Sequence, residues 1–168
     1  MEFLARDSRT IFIGQAVEVP GTAMSNTLID ISLGKRLELP VAEEMQMGMT
    51  LGLGLQGLIP VSIYPRWNFL ILAINQLVNH IDKVDIMSNG GYKPKLIIRT
   101  GIGSERPLHP QHQHVGDFTE AIQSICTTVE VLRLEEPGDI FPSYEKALMR
   151  EDNRNTILVE YGDYYNEK

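Results

Sequence analysis

The sequence predicts an α/β fold: a mainly parallel sheet flanked by helices on both faces. Three observations carry that expectation. Short β-rich runs alternate with helical patterns along the chain. Several of those runs are almost continuously apolar, as strands covered on both faces are. The 168 residues, 43% apolar and 22% charged, suffice for one domain with a core of its own.

Taken in order, the first strand is Thr10-Ile11-Phe12-Ile13, which stops at Gly14. Arg36 to Leu39 adds a short one. Pro40 suits a helix start, and a helix runs from about Ala42 to Gln56. Leu58 to Tyr64 is the next strand. A long helix from about Trp67 to Met87 follows, with positions 67, 70, 71, 74, 77, 78, 81 and 84 on one broad apolar face. Lys95 to Thr100 is a strand, Asp117 to Cys126 a helix and Val129 to Leu134 a strand. The entry turn Pro137-Gly138-Asp139 leads into a helix from Ile140 to Arg150, and Thr156 to Glu160 closes the series. Crossovers between parallel strands are expected to be right-handed. No internal repeat or linker interrupts the pattern.

Composition narrows the function. A net charge of −7 argues against non-specific binding to nucleic acid or to an anionic membrane surface. The single cysteine, Cys126, permits no internal disulfide, so the expected setting is a reducing compartment such as the cytoplasm. The N-terminus, Met1-Glu2-Phe3-Leu4-Ala5-Arg6-Asp7, does not read as a secretory signal. The longest apolar run, Phe69 to Ile74, is far short of the roughly 20 residues of a membrane span.

The helix from Glu43 to Gly57 is unusual. After Glu44 nearly every residue is apolar or small, and a helix apolar all round is buried all round. Either it is a plain core helix, or one face meets another subunit, with Gly48 and Gly52 allowing close backbone contact. A glycine inside a helix costs about 1 kcal/mol relative to alanine, so three want a reason. Glu43 stands at the start of this helix, where the dipole favours a carboxylate; Glu44 reads as the solvent-facing neighbour. Gly52-Leu53-Gly54-Leu55-Gln56-Gly57 matches a dinucleotide fingerprint in letters only, because here the glycines close a helix instead of opening one after a strand.

His109-Pro110-Gln111-His112-Gln113-His114 could supply metal ligands, solvated loop side chains, or one acid–base or hydrogen-bonding group. No local carboxylate or cysteine helps a metal, and none is expected. The segment from Gly101 to Pro107 precedes it, directly after a strand, where ligands gather in open α/β sheets.

In series, these segments resemble the pyrimidine-binding domain of the transketolase-like thiamine-diphosphate enzymes. The likeness is greatest to the beta subunit of the 2-oxoacid (pyruvate or branched-chain) dehydrogenase first component. Pro40-Val41-Ala42-Glu43 matches a Pro-Ile-Ser-Glu-like element before a Gly-rich helix. Asn75-Gln76-Leu77-Val78-Asn79, Met87-Ser88-Asn89-Gly90 and Gln111-His112 follow in family order and spacing. The resemblance implies a thiamine-diphosphate-binding fold of pyrimidine-domain type. It implies that Glu43 hydrogen-bonds the pyrimidine ring nitrogen and favours the imino tautomer, that an aromatic at Phe69 stacks on the ring, and that His112 assists proton transfer. Glu43 and His112 are thus the expected catalytic residues, and Glu43, Phe69 and Gln15 the cofactor-binding ones.

Departures qualify the match. Gly14-Gln15-Ala16 stands where the family has Gly-Glu-Asp, so a site carboxylate is lost. The family's first helix is reduced to a few residues. Its beta subunits carry a further C-terminal domain, whereas residues 1–168 read as a single pyrimidine-binding domain. Gly116-Asp117-Phe118 and Gly162-Asp163-Tyr164 lack the second glycine of the family's diphosphate-and-metal signature. The expectation is therefore a beta-like subunit that needs an alpha-like, diphosphate-binding partner holding most of the Mg²⁺ contacts, and that acts on a 2-oxo acid in a homo- or hetero-oligomer. Half of a split transketolase-type ketol transferase and a non-catalytic assembly module are the alternatives.

Overall fold

A computed structural model of the chain describes residues 1–104 and 109–166. Of the segment Gly101 to Pro107, Glu105, Arg106 and Pro107 lie outside the described residues. The strands are β1 (Thr10–Gly14), β2 (Arg36–Glu38), β3 (Ile59–Ile63), β4 (Ile97–Ile102), β5 (Glu130–Arg133) and β6 (Thr156–Tyr161). They form one sheet in the order β2-β1-β3-β4-β6-β5, and every pairing is parallel. All six expected strands exist, each within two residues of its expected ends. β3 and β4 are buried at every position, which is why they carry no polar alternation.

Helices cover both faces. On one side lie α1 (Glu2–Ala5), α2 (Ala23–Asn26) and α8 (Ile140–Met149). Their Leu4, Met24, Leu28, Tyr144 and Leu148 pack with Phe12, Val61, Ile97 and Leu158 of the sheet. On the other lie α3 (Glu43–Leu55), the segment from Trp67 to Met87, and α7 (Thr119–Ile125). Met47, Trp67, Leu70, Leu77, Ile81 and Ile122 pack there with Ile98, Val131, Ile157 and Val159. Among the described residues no helix is long and apolar enough to cross a membrane.

Trp67 to Met87 is not one helix. It runs as α4 (Trp67–Leu70), a tight turn over Ile71–Ala73, α5 (Ile74–Gln76), a wide turn over Leu77–Ile81 and α6 (Val84–Met87). The apolar period survives at Trp67, Leu70, Leu77 and Ile81 but fails at Ile71, which is exposed. The wide turn closes with Asp82 N–H on Leu77 O. Asp82 is fully buried and accepts the backbone N–H groups of Thr127, Thr128 and Val129. With Lys83 Nζ 2.7 Å away, these donors overcome the effect of burial and hold its carboxyl well below the usual range. This tie fixes the helical segment to the entry of β5.

Within the chain α3 is buried on one side. Gln46, Met47, Thr50 and Gly54 face the sheet, while Met45, Gly48, Met49, Gly52 and Leu55 form an exposed stripe. The close approach within this chain is at Gly54, where an added Cβ would lie 2.3 Å from Leu96 Cδ2 and 2.9 Å from Pro94 Cβ. A Cβ at Gly48 or Gly52 would meet nothing within 4 Å. Gly54→Ala is therefore expected to destabilise the chain by about 1–3 kcal/mol, the usual cost of overpacking. Gly48→Ala should be neutral or stabilising by up to about 1 kcal/mol through helix propensity. Urea denaturation of the two variants checks this; equal midpoints would show the Gly54 contact to be unimportant.

Candidate functional site

The carboxyl ends of β1, β3, β4 and β6 open on one edge of the sheet, where α/β folds collect ligands. A cleft of about 290 Å³ lies there. Its walls come from the loop after β1 (Gln15 to Val17), from α2, from Pro65 to Phe69, and from Ile102 to Ser104, with Gly162 and Tyr165 beyond β6.

The loop after β1 is held in place by its neighbours. Gly14 has φ +156°, and a Cβ there would lie 2.6 Å from Ile63 O, so only glycine lets the strand end pass this close to β3. Ala16 follows in the left-handed region at φ +59°. Glu38, at the end of β2, accepts the backbone N–H groups of Ala16 and Glu18 at 2.6 and 2.8 Å and pins that turn. Gln15 lines the cleft, and its side chain has no partner among the described residues.

Glu43 opens α3. Gln46, one turn on, donates to Ile13 O, Ser62 Oγ and Ile63 O, and Thr50 Oγ1 donates to Ser62 Oγ. This buried polar cluster bolts α3 to β1 and β3. Glu43 is consequently buried, at 8% exposure, and its carboxylate has no hydrogen-bond or ion-pair partner among the described residues. Tyr64 Oη donates to the Glu43 carbonyl, not to its carboxylate. Glu44 points outward and accepts from Asn75 and Gln76. Sequence alone hardly separates the two glutamates; the packing of α3 does.

Phe69 lines the cleft, but its stacking neighbour is His114, with ring centroids 6.2 Å apart and planes 20° apart. His114 Nδ1 also lies 3.2 Å from Asn68 Oδ1, and its carbonyl accepts Gly103 N–H. His112 is exposed and packs edge-on against His109. The structure therefore gathers Gln15 and Phe69 in the cleft and buries Glu43 beside β3. It brings His114, a position the sequence did not single out, against Phe69. The three loop histidines do not converge on a point, and among the described residues no group of His, Cys, Asp and Glu could hold a metal ion.

Beneath the cleft lies a feature that sequence reading missed. Arg99 and Glu160, 2% and 1% exposed, form a double hydrogen bond at 3.0 and 2.9 Å. Arg99 also donates to Thr27 Oγ1 and Met24 O on the α2 side, and to Tyr165 Oη. Tyr144 and Tyr165 both donate to Glu160. Burial alone would raise the Glu160 carboxyl; the Arg99 charge and these hydrogen bonds reverse that and hold it below its usual value. Two cleft walls, α2 and Tyr165, hang on this pair. A Lys/Arg inside an apolar strand, paired with an acid inside another, was the available signal.

Similar proteins carry the same outline. No family model matches the chain. It is 29% identical over 133 residues to the pyruvate dehydrogenase E1 component subunit beta of Gracilaria tenuistipitata var. liui, covering 79% of this chain and 39% of that subunit. A split-gene transketolase, solved as an inactive beta4 tetramer, superposes with a TM-score of 0.72 at 14% identity, over 95% of this chain and 47% of the other. An enzyme from Mycobacterium smegmatis described as thiamin diphosphate-dependent gives a TM-score of 0.68 at 16% identity, over 97% and 30%. The resemblance read from the sequence stands, although the chain spans only about two fifths of the curated relatives it matches.

Replacing Arg99 by methionine strands the Glu160 carboxylate in the core. A loss of about 3–5 kcal/mol is expected, and Arg99→Met with Glu160→Leu together should lose less. The Glu160 pKa is depressed on folding, so its contribution is complete above the unfolded carboxyl value of about 4.3 and is lost as pH falls below it. Urea unfolding of wild type between pH 7 and 3 should show that fall, and the double variant a shallower one; superimposable profiles would contradict it.

Proposed function

We propose that this chain is the pyrimidine-binding part of a thiamine-diphosphate-dependent 2-oxoacid dehydrogenase, active only with a diphosphate-binding partner subunit. The observation that carries the reading is Glu43: a buried carboxylate without a partner among the described residues, at the start of a helix on the ligand-binding edge of the sheet. Leaving such a group unpaired is costly, and a ring nitrogen of the pyrimidine offers the missing partner. The residues fit that half of the cofactor: Phe69 gives a flat apolar wall, and Gln15 a neutral amide at the position where the resembled family's pattern has an acid.

When bound, the cofactor supplies the electron sink for breaking the bond beside a 2-oxo carbonyl. Glu43 holds the proton at the ring nitrogen, and the burial around it excludes competing water. His112 is retained as the proton-transfer candidate for the assembled site, with His114 positioning the Phe69 ring. We assign Mg²⁺ mainly to the partner, because Asp117 is already engaged by Thr119 and Arg133. We assign the assembly contact to the exposed stripe of α3, whose glycines leave room for another backbone.

Two outcomes follow. Glu43→Gln should keep most cofactor binding in the complex with the partner but slow hydrogen–deuterium exchange at cofactor C2 by about 10²–10⁴-fold; Glu44→Gln should leave it near wild type. Equal exchange in wild type and Glu43→Gln would remove the assignment. Gly48→Leu should leave the chain folded yet weaken its assembly, read by light scattering of the complex; unchanged assembly would free α3 from that role.

A further inference from the structure

We propose that the cleft at the carboxyl edge binds a small monocarboxylate with an apolar body, and that Arg66 reads its charge. That the carboxylate belongs to the 2-oxo acid substrate rests on the function proposed above; the anion site itself rests on the geometry.

The polar groups around the cleft are mostly spent. The Thr22 and Ser25 side chains form a reciprocal cap on α2. Tyr165 Oη is engaged by Arg99 and Glu160, and Ser104 Oγ donates to Asp163 Oδ1. Two lining side chains are left without a partner among the described residues: the Gln15 amide and the Arg66 guanidinium. Although the chain carries 22 acidic residues, no Asp or Glu is among the described residues that line the cleft, and among them Arg66 carries the formal charge.

A half-buried cation in such surroundings is better satisfied by a charged ligand than by water alone. The guanidinium fork matches a carboxylate through two parallel N–H···O bonds. One guanidinium balances a single negative charge; it makes a poor cradle for a phosphate dianion. Val17, Ile63 and Ile102 form an apolar wall beside it and suit a short acyl chain. A neutral pyrimidine at Phe69 would leave Arg66 uncompensated. Arg66 therefore acts as a specificity-determining residue, selecting an acid over the corresponding ester or aldehyde.

The test uses the full chain without cofactor. Two-dimensional ¹H–¹⁵N NMR follows the Arg66 Nε–H and the indole N–H of Trp67, the only tryptophan, during titration with pyruvate, 2-oxoisovalerate, methyl pyruvate and inorganic phosphate. Saturable shifts with the two acids, and much weaker ones with the ester and with phosphate, are expected. Arg66→Gln should weaken acid binding about tenfold or more, as loss of a charge-assisted hydrogen bond does, and Arg66→Lys should keep part of it. An unmoved Trp67 indole signal in each variant reports an intact fold. No binding of either acid, equal binding of the ester, tighter binding of phosphate, or wild-type binding by Arg66→Gln would each overturn the proposal. Because cofactor is absent, such a failure leaves the role of Glu43 standing. A negative Glu43 result would likewise leave the carboxylate site intact.

Discussion

The rest of the structure depends on the buried ion pair between Arg99 and Glu160. The two residues sit on the central strand β4 and its neighbour β6, and in the register Gly101 stands opposite Glu160. Every remaining donor and acceptor is then used: α2 through Met24 and Thr27, α8 through Tyr144, and the turn after β6 through Tyr165. A buried pair of this kind contributes little net stability against an apolar alternative, but it is expensive to half-remove. Its value here is positional, since it sets where two cleft walls stand.

The opposite face is organised by a neutral cluster instead. Gln46, Thr50 and Ser62 satisfy one another between α3 and the sheet. That arrangement fixes the rotation of α3 about its own axis. One consequence is that Glu43 turns inward and Glu44 outward, although they are adjacent. The other is that the stripe from Met45 to Leu55 is left facing solvent. The same few hydrogen bonds thus produce both a buried carboxylate and an exposed apolar stripe.

The edge between these faces is where local strain collects. Ala16 and Gln111, both outside glycine's company, adopt positive φ at 59° and 75°. Each lies in a loop that frames the cleft or the histidine turn. Such conformations cost of order 1–3 kcal/mol and persist only when their surroundings hold them. Glu38 does so for Ala16, and the Gly103–His114 backbone bond ties the second loop to the end of β4.

The sequence by itself determined the strands, the α/β class and the start of α3 near Glu43, because these follow from local pattern: continuous apolar runs, a helix start, glycine stops. Phe69 was named only through the family resemblance; that it lines the cleft was decided by the packing of α4 beside the ends of β1 and β4. Only the tertiary structure decided which face of α3 is buried, because a helix apolar on all sides has no period from which to read a direction. It decided that Gly54, not Gly48 or Gly52, makes the close contact inside the chain, since that depends on Pro94 and Leu96 some 40 residues away in sequence. It broke the Trp67–Met87 helix, because burying Asp82 against the turn at Thr127 outweighs one unbroken run of helical hydrogen bonds. It paired Arg99 with Glu160 and left Arg66 without a partner among the described residues. Sequence shows that charges are present; only the register and packing of distant segments settle which of them meet.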